Sequence, residues 1–308
     1  MGLAYDRSGE GPELVLLHGV GHRRQAWNAV TDLLTPHRTV IAVDLPGHGD
    51  SPPLVADGMD PVEAMGLELK ALLGELGLSR PHIAGNSLGG ALALGAAARG
   101  LARSVTGLSP AGFWAAPWQF HYAKGVFRAM QSSGPLKPYL PKLAQSTLGR
   151  GILNGAIIAK PSRMSTEQAI GDAEAFFRAK DAVDQVLAEK ISFTEAAAIP
   201  ADVPVTIAWG EKDRLLPPSQ ARVAKRHLPN ATFILLRGCG HVPMTDDPKA
   251  VAKILLEGSS VLARGLPHRE TGGAVGVVDH PHRGRGAGRG GGEGLTVEHR
   301  GGKRAQLP

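Results

Sequence analysis

The chain has a single cysteine, Cys239, so no internal disulfide can staple it. That usage fits a reducing compartment. No run of about 18 apolar residues occurs, and this leaves no candidate for a membrane-spanning helix. Met1–Gly11 lacks a basic segment followed by an apolar one, so no signal peptide is expected. Cytoplasm is the location these absences favour. An excess of one charge is nearly missing from the body of the chain. The net charge is +6, and residues 265–308 supply +3 of it, with seven Lys or Arg against four acids. So mild an excess gives no electrostatic case for a nucleic-acid partner.

What is present is a recurrence of short apolar runs bounded by turn residues. They lie at Leu14–Leu17, Thr39–Val43, His82–Ala84, Val105–Leu108, Val205–Trp209 and Thr232–Leu236. Such runs read as strands buried on both faces. Helical patterns separate most of them, at about Trp27–Leu34, Pro61–Leu76, Leu88–Ala98, Ser219–His227 and Pro248–Leu256. Strand and helix in alternation specify an α/β fold with a mostly parallel, doubly wound sheet.

The alternation stops between about Ala111 and Pro200. This stretch has no strand signal, a cluster of prolines (Pro135, Pro138, Pro141) and one strong helical pattern. That helix opens with the capping box Ser165-x-x-Gln168 and keeps its apolar period through Ile170, Ala173, Phe176, Phe177 and Val183. The expected organisation is a core of residues 1–110 and 201–264, a helical cap inserted at 111–200, and a tail at 265–308. Thirteen of the 44 tail residues are glycine and none is aromatic, so disorder is expected there. Its Arg283-Gly284-Arg285-Gly286 run lacks the aromatics that would stack on bases, and no RNA-binding role is assigned.

The strongest chemical signal is Gly85-Asn86-Ser87-Leu88-Gly89. It follows a short strand and opens a helix rich in small residues. A serine on such a turn is held above the sheet edge, and small residues two before and two after let strand and helix approach. A serine hydroxyl needs a base. His241 ends Arg237-Gly238-Cys239-Gly240-His241 just after the last strand, where sites in parallel sheets assemble. The imidazole in turn needs an acid to fix its tautomer. Asp213, in Trp209-Gly210-Glu211-Lys212-Asp213, is the first choice, with Glu211 the alternative. An oxyanion requires two N–H donors. Leu88 at the start of the helix supplies one, and Val20 in His18-Gly19-Val20-Gly21 the other, with Gly21 the alternative.

Leu-Leu-His-Gly (16–19), Asp-Leu-Pro-Gly-His-Gly-Asp-Ser (44–51), Gly-Asn-Ser-Leu-Gly-Gly (85–90), Trp-Gly-Glu-Lys-Asp (209–213) and Gly-Cys-Gly-His (238–241) appear in that order. Together, over about residues 3–258, the chain resembles the α/β-hydrolase family. The resemblance implies a Ser87–His241–Asp213 triad, hydrolysis through an acyl-enzyme, and a cap lying over the active site. Two features depart from the family pattern. Only Leu3–Arg7 precedes the first loop, so the sheet edge is expected to be truncated, and the tail matches nothing in the family. Fold relatives that open epoxides or displace halide use aspartate at the elbow, and Ser87 does not support that route.

The expected activity is hydrolysis of a carboxylic ester of a small to medium apolar molecule. Carbon–carbon bond hydrolysis, and acyl transfer or thioester cleavage, are alternatives served by the same triad. A non-catalytic ligand-binding protein of the same fold is a third reading. Trp114 and Trp118 are candidates for the substrate channel. No metal or cofactor is called for: Cys239 beside His241 reads as a small apolar filler. Gly47-His48-Gly49 reads as a turn. The partner is a small-molecule substrate; the sequence carries no signal for oligomeric state.

Overall fold

The computed structural model describes residues 2–260. The tail expected at 265–308 lies outside the described residues. Seven strands form one sheet: β1 (Tyr5–Ser8), β2 (Glu13–Leu17), β3 (Thr39–Val43), β4 (His82–Asn86), β5 (Ser104–Leu108), β6 (Val205–Gly210) and β7 (Thr232–Leu236). Their order is β1-β3-β2-β4-β5-β6-β7. All neighbours pair in parallel except β1, which runs antiparallel to β3 with Tyr5 opposite Val43 and Ser8 opposite Val40. The short edge anticipated from Leu3–Arg7 is this four-residue strand, exposed along its length.

Successive residues on the strands feed two separate cores. Val15, Leu17, Ile41, Val43, Ile83 and Val105 face one side, where they meet α2 (Pro61–Glu75) and α3 (Leu88–Ala98). Leu14, Leu16, Val40, Ala42, Ala84 and Leu108 face the other, against α1 (Asn28–Leu34) and, at the end of the described chain, a helix over Pro248–Gly258. This period of two, apolar on both faces, is why the central runs show no polar alternation. Each valine, leucine or isoleucine among them contributes roughly 1.5–3 kcal/mol through burial. β7 departs from the expectation: it is an edge strand with Leu235 exposed, because among the described residues nothing pairs with its outer side.

Between β5 and β6 the described chain forms no strand. It forms α4 (Pro117–Ser132), α5 (Leu140–Ala144), α6 (Thr147–Asn154), α7 (Thr166–Arg178) and α8 (Lys180–Val186). Ser165 caps α7 as the sequence specifies, accepting the Gln168 N–H at 3.0 Å. The Gln168 side chain, however, donates across to Thr245 Oγ1 at 3.1 Å instead of closing the capping box. The single helix read through Val183 is two helices, with the break at the buried Ala179. Of the clustered prolines, Pro135 and Pro138 lie in a 3-10 turn over Gly134–Tyr139 and Pro141 in the first turn of α5. After β6 come α9 (Ser219–His227), α10 (Pro243–Asp246) and α11, the Pro248–Gly258 helix.

Candidate active site

Ser87 sits between β4 and α3 with φ 55° and ψ −116°. A non-glycine residue in such a region costs of order 1–3 kcal/mol, so its surroundings must over-determine it. They do so through three backbone hydrogen bonds: Ser87 N–H to Leu108 O at 2.9 Å, and Ser87 O to the N–H groups of Ala91 (3.1 Å) and Ala111 (3.0 Å). The turn also needs bare backbone on either side. A Cβ on Gly85 would stand 2.1 Å from Gly89 O, and one on Gly89 would stand 2.2 Å from Leu17 O. Any side chain at either place would push strand and helix apart.

His241 follows β7 on the loop before α10. Its Nδ1 lies 2.8 Å from Asp213 Oδ2. The other carboxylate oxygen of Asp213 accepts the N–H groups of Leu215 (3.0 Å) and Leu216 (2.8 Å). A carboxylate fixed in this way can only accept, so the ring proton of a neutral His241 sits on Nδ1 and Nε2 is left with a free lone pair. Glu211 is turned elsewhere: its Oε2 accepts Gly238 N–H at 2.8 Å on the exposed side of the loop.

The loop that carries His241 is held by partners that sequence reading did not single out. The Asn86 amide donates to His241 O at 2.9 Å and to Leu108 O at 3.0 Å, coupling the histidine to the residue beside Ser87. His241 N–H donates to Ile157 O at 2.8 Å, so the insertion is hydrogen-bonded to this loop. Asp246 is fully buried and accepts Gly240 N–H at 2.7 Å, Lys160 N–H at 2.6 Å and Ala159 N–H at 3.1 Å. No local pattern marks Asp246, because two of its three partners lie more than 80 positions away. Cys239 is buried beside the loop, and burial pushes its thiol up to about 11.

On the opposite wall, the loop Gly19–His22 is braced by two buried histidines. His48, read as part of a turn, accepts Gly21 N–H on Nε2 at 2.9 Å, with Nδ1 2.9 Å from Pro46 O. His18 accepts Leu45 N–H on Nε2 at 3.0 Å, with Nδ1 2.7 Å from Gly19 O. Both rings are therefore neutral donors on Nδ1. Burial holds His48 down at about 4 and His18 well below the ordinary histidine value. Since the Gly21 N–H is committed to His48, it is not free for a ligand.

Ser87, His241, Val20 and Gly21 line one cavity of about 320 Å³. The insertion supplies most of the remaining wall, including Phe127, Met130, Leu136, Ile152, Phe176 and Phe177. Trp114 and Trp118 do not line it. The Trp114 indole donates to Ile191 O and packs edge-on against Phe120, while Trp118 is 58% exposed. The tryptophans expected in the channel thus serve packing and surface, and phenylalanines and aliphatic residues take that place.

The model of the alpha/beta hydrolase family matches residues 14–254. The chain belongs to this family. Lipase 3 of Moraxella sp. is 27% identical over 264 residues, covering 79% of the chain and 75% of the lipase. An epoxide hydrolase of Mycobacterium tuberculosis is 31% identical over 213 residues, 64% of the chain and 92% of that enzyme. Among solved structures, a bacterial membrane phospholipase A superposes with a TM-score of 0.67 at 25% identity, covering 83% of each chain. With such relatives, this member of the family is a hydrolase. Among the described residues, no helix is long and apolar enough to cross a membrane.

Proposed function

We propose that this hydrolase cleaves carboxylic esters carrying an apolar portion, through an acyl-enzyme on Ser87. The observation that carries the reading is the 2.8 Å contact with Asp213 made by Nδ1 of His241, a residue that lines the same cavity as Ser87. His241 Nε2 takes the hydroxyl proton as Ser87 Oγ bonds to the ester carbonyl carbon. The carbonyl oxygen becomes an oxyanion, bound by the N–H groups of Leu88 and Val20. Val20 is chosen over Gly21 because the Gly21 N–H is spent on His48. Collapse breaks the ester C–O bond, and the alcohol leaves with the proton from His241. Water then repeats the sequence, with His241 as base, and releases the acid.

Residues 111–200 act as a cap that shapes the substrate pocket, which is supported by their share of the cavity wall. The epoxide hydrolase among the relatives does not extend to this chain. Epoxide opening by a serine would leave an ether, which water does not cleave, whereas a carboxylate leaves a hydrolysable ester. A panel of p-nitrophenyl esters tests the proposal. Turnover of apolar esters by the wild type, and its loss by at least about 10³-fold in Ser87→Ala, is expected. No turnover of any ester in the panel would contradict it.

A further inference from the structure

The chain carries no aspartate or glutamate between Glu75 and Glu167. Within that stretch Pro117–Thr166 alone holds seven Lys or Arg. Five of the seven (Lys124, Arg128, Lys137, Lys142 and Arg150) lie in α4, the 3-10 turn after it, α5 and α6. Large apolar side chains stand in solvent on the same segment: Leu136 is 45%, Tyr139 60%, Leu148 77% and Ile152 66% exposed. Leu148 and Ile152 are one turn apart on α6, so they share a face. Leu136 and Tyr139 are three apart in the 3-10 turn, where such side chains eclipse.

Part of this apolar group borders the cavity. Leu136 and Ile152 line the space that holds Ser87 while remaining open to solvent on their outer side. Cations stand at the same rim. Lys137 and Lys142 are exposed, and Lys137 Nζ lies 4.6 Å over the ring of Phe177, itself a cavity residue. Adjoining α7 and α8 carry exposed carboxylates at Glu167, Glu174 and Asp181, and the other nearby acids are engaged or buried. Asp184 pairs with Lys180 and accepts the Gln131 amide, and the carboxylates of Asp172 and Asp246 are buried.

We infer that the face built from the 3-10 turn, α5 and α6 docks the protein on an anionic lipid bilayer. Leu136, Tyr139, Leu148 and Ile152 enter the headgroup layer, and Lys137 and Lys142 meet the lipid phosphates. Charge selects this occupant over the others available. A second copy of the chain would bring the same cations to the same face. Residues 265–308 carry seven Lys or Arg against four acids and are repelled in the same way. An anionic lipid surface satisfies the apolar and the cationic demands together.

The test is co-sedimentation of the full chain with sucrose-loaded vesicles of phosphatidylglycerol and phosphatidylcholine, against phosphatidylcholine alone. Binding to the anionic vesicles that weakens with added salt is expected. The pair Lys137→Glu with Lys142→Glu should weaken binding by at least about twentyfold. The pair Tyr139→Ser with Leu148→Ser should weaken it by at least about tenfold. Both pairs lie at exposed positions, and their melting temperatures should match the wild type. Ser87→Ala should bind like the wild type, so docking and catalysis fail separately. No binding, equal binding to both vesicle types, or binding unchanged in both pairs would overturn the inference; the last outcome would assign the contact to another part of the chain. Self-association in the absence of vesicles that the Tyr139→Ser and Leu148→Ser pair abolishes would overturn it as well, in favour of a second copy.

Discussion

The buried carboxylate of Asp246 accepts the backbone N–H of Gly240 at 2.7 Å, one residue before His241. Through Ala159 and Lys160 the same carboxylate holds the insertion against the His241 loop. Asp246→Asn keeps the size but turns an amide NH₂ against a donor. The variant should lose about 2–4 kcal/mol of stability, on the scale of a broken buried charge-assisted network. Its kcat should fall more than its KM rises, since His241 is displaced while the apolar wall is kept. Urea unfolding and steady-state kinetics check both, and a wild-type midpoint with wild-type kcat would show that the loop holds itself.

Asp213→Asn should lower kcat by about 10⁴-fold, because an amide facing Nδ1 favours the wrong tautomer of His241. Glu211→Gln is the matched control. Glu211 touches only the Gly238 N–H, so its loss should leave kcat within a few fold. A reversal of these two effects in ester assays would exchange the roles of the two acids.

Acid should weaken the protein through His48. In the fold this ring is held at about 4 against an ordinary 6.5. The unfolded chain therefore takes up a proton first, and the stability contribution is whole above about pH 6.5 and lost as pH falls toward about 4. The loss for this one group is about 3 kcal/mol. A protonated Nε2 also cannot accept the Gly21 N–H, so activity of the folded enzyme should fall by this route only as pH approaches about 4. Urea midpoints measured between neutral pH and about pH 4 should decline, and His48→Gln should decline less steeply. A wild-type midpoint independent of pH would refute the assignment.

Substrate preference should follow the phenylalanines of the cavity and not the tryptophans. Each methylene buried in the pocket contributes roughly 0.8 kcal/mol. From acetate toward octanoate esters, kcat/KM should therefore rise about threefold to fourfold per carbon until the pocket is full. Phe177→Ala should shift the preferred chain length, whereas Trp118→Ala should not. An unchanged profile in Phe177→Ala would show that the insertion selects substrate by other residues.

The sheet was legible because its central strands are apolar on both faces, and the elbow because Gly85, Ser87 and Gly89 obey a local steric rule. Asp213 and His241 were legible as strand-end residues in the family's order. Other features depend on contacts far apart in the chain and leave no local trace. His48 meets Gly21 from 27 positions away, and Asp246 meets Lys160 from 86. Trp114 and Trp118 misled because a tryptophan in an insertion reads alike whether it lines a pocket, packs on Phe120 or faces solvent. The break at Ala179 hid for a related reason: alanine favours helix, and only packing against the core turns the chain there.

Whether Ser87 is the nucleophile is tested most directly by a fluorophosphonate probe. Intact-mass and peptide mass spectrometry of the labelled full chain should find one adduct, on the peptide that contains Ser87. Labelling should disappear in Ser87→Ala and slow sharply in Asp213→Asn. An adduct on a different residue, or undiminished labelling of Ser87→Ala, would contradict the account.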